Sequence, residues 1–166
     1  MDQVVFQHLQ NHIEATMAMG ENCALKIAEA ADKVTQALLA GHKIYSCGVG
    51  ENAPLSQLLV QYLTTGFEIE RPGFPALDLL SLINGTNVTD GLSNALHIHG
   101  NNSDVLVVFS AQEDNDALVK TIETAVEKGM MVVHISASTE SLLTPSIGPN
   151  HIELNCGESL AKSSAA

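Results

Sequence analysis

The sequence predicts an α/β protein: a parallel sheet with helices on both faces. Strand-like and helix-like segments alternate along the chain. The strand-like ones, such as Val105-Leu106-Val107-Val108-Phe109, are apolar without interruption, as strands covered on both faces are. Aromatic residues are only 4 % and Trp is absent, so the core must be assembled from Leu, Val, Ile and Ala.

The 166 residues are expected to form one domain, with N-terminal helices in 1–40 and a sheet-and-helix core in 41–156. Helical spacing of Val5, Leu9, Ile13 and Met17 predicts a helix over 3–18, and Leu25, Ala28, Ala31, Val34 and Leu38 a second over 22–39, ended by Gly41. A strand is expected at 43–47. A helix at 54–65 follows, with Asn52 as N-cap and Gly66 as its stop. Arg71-Pro72-Gly73-Phe74-Pro75 reads as an extended linker, because proline interrupts helical bonding. A second strand is placed at 76–80. Residues 81–102 carry three turn signals around short apolar runs, and Leu96-His97-Ile98-His99 reads as extended. Strands at 104–109, 131–135 and 151–154 and a helix at 116–128 complete the core, and 159–166 is expected to fray.

The formal charge of −12 argues against direct nucleic-acid binding, and the seven basic residues are scattered. Cys23, Cys47 and Cys156 have no C-x-x-C spacing and read as free thiols of a reducing cytoplasm. The polar N-terminus does not resemble a signal peptide, and the apolar runs are too short to span a bilayer.

Ligands of parallel α/β sheets bind at the carboxyl ends of strands. That points to two loops, 48–52 and 110–115. In the first, Gly48, Val49, Gly50, Glu51 and Asn52 join a strand to a helix start, the arrangement that cradles an anion. The third glycine of a dinucleotide fingerprint is missing, and no Gly-Lys-Ser/Thr follows. In the second, Ser110, Gln112 and Asn115 supply polar groups beside three acids. Two like charges about 4 Å apart repel by about 4 kcal/mol at a surface-like dielectric, more than one hydrogen bond returns. With no Lys or Arg in either loop, any phosphate binding is expected to be weak. His8 and His12, and His97 and His99, lack a third ligand nearby, so neither a metal nor another cofactor is expected. No Ser/His/Asp arrangement with a nucleophile elbow is visible.

Four segments resemble the sugar isomerase (SIS) domain family: 41–50, 67–76, 103–110 and 127–130. They are similar to the branch holding phosphoheptose (sedoheptulose 7-phosphate) isomerase and the DnaA initiator-associating protein. The Glu70-Arg71-Pro72-Gly73-Phe74-Pro75-Ala76 stretch is the most specific of them. The resemblance implies a three-layer αβα sandwich around a five-stranded parallel sheet (SIS, flavodoxin-like). It also implies a homo-oligomer, usually a tetramer, with a sugar-phosphate site at the same two loops.

The departures are concentrated at the site. The family's Asn-Gly-Gly-Ser is changed at three of the four positions Val49, Gly50, Glu51 and Asn52. Its catalytic, metal-binding His and Glu fall on Leu58 and Tyr62, which cannot exchange a proton between adjacent carbons at neutral pH. Leu80–Asn102 is shorter than the family counterpart, implying a reduced or absent helix. The sequence reaches Ala166 about where the family's last helix, bearing further catalytic residues, begins. The expectation is a non-catalytic SIS-domain protein, a dimer or tetramer in the cytoplasm, binding a sugar phosphate weakly or acting as a regulatory module. The alternatives are a divergent isomerase using Glu51, His97 or His99, and a DnaA-binding regulator.

Overall fold

The computed structural model describes residues 2–83, 85, 87–111, 116–137, 148 and 151–156. Five parallel strands form one sheet in the order β2-β1-β3-β4-β5: β1 Ile44–Gly48, β2 Ala76–Asp78, β3 Val105–Ser110, β4 Met131–Ser136 and β5 Ile152–Asn155. Helices α1 (Asp2–Leu39) and α2 (Ala53–Thr65) cover one face; α3 (Val88–His99) and α4 (Asp116–Glu127) cover the other. The expected doubly covered parallel sheet is therefore present, with strand limits shifted by a residue or so.

Alternate side chains of the central strands feed the two layers. Tyr45, Cys47, Leu106, Val108 and Val132 pack with Leu92, Leu96, Leu118 and Ile122 on the α3/α4 side. Ile44, Val105, Val107 and Val133 meet Ala30, Val34 and Leu38 of α1 and Leu59, Val60 and Leu63 of α2 on the other. Buried Asp104 ties the strand starts together: its carboxylate accepts the backbone N–H of Lys43 and of Asn101, each at 2.9 Å. Arg71 closes the end of α2, donating to the carbonyls of Tyr62 (2.9 Å) and Leu63 (3.0 Å) while its guanidinium lies 4.1 Å above Phe74. That gives the Arg-Pro-Gly-Phe-Pro linker a structural role.

Three expectations are corrected. The two N-terminal helices are one continuous helix, α1. An interior glycine costs only about 1 kcal/mol relative to alanine, too little to break a 38-residue helix at Gly20. Second, residues 88–99 are helical, so His97 and His99 lie on a helix and not on the expected extended segment, and the helix here is not absent. Asn87 starts α3 by accepting the Asp90 N–H, and Leu92, Ala95 and Leu96 give it a buried stripe. Third, β2 stops at Asp78, and Leu79–Leu82 forms a 3-10 turn. Asn52 also precedes α2 without a capping side-chain bond. No helix among the described residues is long and apolar enough to cross a membrane. Cys23, Cys47 and Cys156 are free thiols, the first two buried.

Continuity of α1 gives a direct test. A Cβ at Gly20 meets nothing within 4 Å, so Gly20→Ala should raise stability by about 0.5–1 kcal/mol in urea denaturation. A helix break there would give a loss instead.

Candidate functional site

β1 and β3 are paired along their whole shared length, from Ile44 opposite Val105 to Gly48 opposite Phe109. The chain leaves β1 through α2 on one face and β3 through α4 on the other. Their outgoing loops therefore diverge, opening a crevice at the strand ends, where ligands of such sheets bind. The two loops singled out in the sequence are these loops.

The first is tightly wound. A Cβ at Gly48 would collide with the Asn52 carbonyl, so only glycine fits there, and Gly50 has φ +59°. Gly50–Asn52 makes a 3-10 turn that runs straight into α2. This turn weakens the cradle. The N–H of Asn52 is bonded to Val49 O (3.2 Å), that of Ala53 to Gly50 O, and Pro54 has none. Val49 and Asn52 are half-buried, whereas Gly50 and Glu51 are exposed.

In the second loop Ser110 is buried at the end of β3, and Gln112 and Asn115 lie outside the described residues. Asn52 and Ser110 line one small cavity of about 100 Å³, together with Leu55, Phe109, Ile135, Ser136, Ala137 and Cys156. The structure thus brings Asn52 of the first loop and Ser110 of the second to one place. A larger groove of about 410 Å³, between α2 and edge strand β2, is lined by Gln57, Gln61, Asp78 and Ser81 among others and touches neither loop. Asp78 there accepts a 2.6 Å bond from buried Ser56.

A polar chain lies behind Ser110. Its Oγ is 2.8 Å from Nε2 of His134 on β4, and Nδ1 of that ring is 3.5 Å from Oε1 of Glu153 on β5. The ring is fully buried, and burial lowers its pKa against the opposing pull of the Glu153 carboxylate. Sequence reasoning found no such Ser/His/acid grouping. Its three members stand on separate strands, and the one visible signal was a histidine inside an apolar strand.

The other candidates are dispersed. Leu58 and Tyr62 lie on the outward side of α2, 42 % and 38 % exposed, in line with exposed Leu55. His97 and His99 sit at the end of α3, where Tyr45 near the start of β1 donates to His99 O at 2.6 Å and Lys128 donates to His97 O. That is the opposite end of the sheet from the loops, so within one chain neither histidine serves the crevice. His8 and His12 are exposed on α1. Among the described residues no group of three His, Cys, Asp or Glu could hold a metal. Three described lysines have partners elsewhere: Lys33 with Glu29, Lys120 with Asp90, and Lys26 with the Glu153 carbonyl.

The SIS domain matches residues 7–137, and the chain belongs to that family. Among its relatives, the DnaA initiator-associating protein DiaA of Shigella flexneri is 30 % identical over 149 residues, covering 86 % of this chain and 76 % of the relative. The phosphoheptose isomerase of Shewanella piezotolerans is 27 % identical over 155 residues, covering 89 % and 77 %. A solved phosphoheptose isomerase from Francisella tularensis shares the fold, with TM-score 0.83 and 22 % identity over 98 % of this chain and 94 % of that one.

The buried ring predicts a pH dependence of stability. A depressed pKa in the folded state means that unfolding takes up a proton once the pH falls below the ordinary histidine value of about 6.5. Stability should be full above that pH and fall as the pH drops toward the folded-state value. Urea midpoints between about pH 7.5 and 5.5 should decline, and His134→Gln should flatten part of the slope. His151, lowered by burial and then by Lys33, should account for some of the rest.

Proposed function

We propose that this chain is a non-catalytic SIS-domain protein that binds a sugar phosphate weakly at the 48–52 and 110–115 loops and works as an oligomeric regulatory module in the cytoplasm. The carrying observation is the outward face of α2. Where the family resemblance calls for a catalytic His and Glu, the positions hold Leu58 and Tyr62, exposed and flanked by Leu55. Moving a proton between adjacent carbons needs a positioned acid and base. Glu51 is the one acid of the first loop, and it is exposed. The N–H groups of Asn52 and Ala53 are engaged and Pro54 has none, which supports weak rather than strong anion binding.

Pure protein incubated with sedoheptulose 7-phosphate should give no conversion above the blank, while the same sugar phosphate should bind with millimolar affinity in a calorimetric titration. Turnover that disappears in Glu51→Gln would overturn the non-catalytic reading and favour the divergent isomerase.

The regulatory part rests on α1. Val5, Leu9, Ile13 and Met17 form a stripe on its first half and are 56–63 % exposed in the single chain. An apolar stripe on a projecting helix needs cover, and a second copy of α1 supplies it. Light scattering at micromolar concentration should give a dimer or tetramer, and Leu9→Glu with Ile13→Glu should give a monomer. For a heterologous partner, the relatives named DnaA initiator-associating protein favour DnaA. Retention of purified DnaA on the immobilised protein tests this, and absence of retention counts against it.

A further inference from the structure

Cys23 and Cys156 meet where α1 docks on the end of β5. Helix α1 holds the backbone of that strand at two positions about one turn apart. Lys26 Nζ donates to the Glu153 carbonyl at 3.1 Å, and the Cys23 thiol donates to the Asn155 carbonyl at 3.6 Å. The Asn155 carbonyl belongs to the planar peptide unit that leads into Cys156, so the Cys23 sulfur lies against the backbone that carries the second cysteine. The thiols also act on each other. Burial pushes Cys156 above the ordinary cysteine range, and the charge and hydrogen bonding of Cys23 push it further. Cys47, the third free thiol, packs on the α3/α4 side, so the sheet stands between it and α1.

The two thiols differ in access. Cys23 is 3 % exposed, whereas Cys156 is half-buried and lines the small cavity with Asn52 and Ser110. We propose that Cys23 and Cys156 form a redox clasp, in which hydrogen peroxide oxidises the pair to a disulfide that locks the packed half of α1 to the end of β5. Cys156, the more accessible, reacts first. Its sulfur attacks one peroxide oxygen; the O–O bond breaks, one water leaves, and a sulfenic acid remains. The Cys23 sulfur then attacks the Cys156 sulfur, the S–O bond breaks, and a second water leaves. Both thiol protons depart in the waters, and two electrons pass from the pair to the peroxide. The raised pKa of Cys156 makes the first step slow at neutral pH, because the thiolate is the nucleophile. The clasp therefore closes under sustained peroxide and reopens with a thiol reductant, as redox-sensing disulfides of reducing compartments do. Cys23 and Asn155 are 132 positions apart, so the bridge closes a loop over most of the chain and constrains the unfolded state.

Peroxide-treated protein, alkylated and digested without reductant, should yield the Cys23 peptide joined to the Cys156 peptide, two hydrogens lighter than the separate pair. The intact chain should stay single in non-reducing electrophoresis. Bridging should speed up by as much as about tenfold per pH unit between about pH 7 and 8, as thiolate accumulates. The urea midpoint should rise on oxidation and return with dithiothreitol. Cys156→Ser should abolish bridge and rise alike, and Cys47→Ala should keep both. If a variant does not fold, the wild-type peptide map and midpoints decide. Both thiols alkylated after peroxide, a bridge through Cys47 or between chains, Cys156 driven to a sulfinic acid beside free Cys23, or a midpoint that does not rise overturns the clasp.

Discussion

The pairing of β1 with β3 is the constraint on which the rest depends. Both strands are buried along almost their whole length, and their starts are pinned by the Asp104 carboxylate, which accepts N–H groups from Lys43 and Asn101. A one-residue slip would exchange the two side-chain layers, placing Ile44 and Val105 among the partners of Tyr45 and Leu106. With the register fixed, Gly48 and Ser110 emerge at one end of the sheet. Because α2 and α4 lie on opposite faces, the chain opens a crevice there.

Much of that frame was legible in the sequence because it is local. Continuous apolar runs marked the strands, and Gly48-Val49-Gly50 before Pro54 marked the strand–turn–helix junction. What escaped depends on competition between signals or on distance. The apolar spacing read as two helices, 3–18 and 22–39, yet the single Gly20 between them is a small cost against the helical bonds on either side. Asp90-Gly91 looked like a turn; in α3 Gly91 lets Ile83 pack closely, and Asp90 is held by Asn87 and Lys120. The chain from Ser110 through His134 to Glu153 was out of reach, since local sequence does not say which strands become neighbours.

The crevice and its surroundings divide their chemistry unevenly. The scaffold groups are engaged: Arg71 on the end of α2, one carboxylate oxygen of Asp78 with Ser56, and Asp104 with two backbone donors. In the first loop, by contrast, the N–H groups of Asn52 and Ala53 are turned back on the loop itself, and its one acid, Glu51, is exposed. A fold can be maintained by the first set whatever happens to the second, which is how a family scaffold outlasts a change at its site.

The length of α1 has a consequence for folding itself. At 1.5 Å per residue its 38 residues reach about 57 Å, and the packing residues begin only at Cys23. The first five turns have no layer beneath them. Helices of this length are marginal in water without tertiary contact, so their order in a lone chain would be partial. Amide exchange along this arm would then slow with rising protein concentration, making the arm a gauge of how much of the protein is assembled.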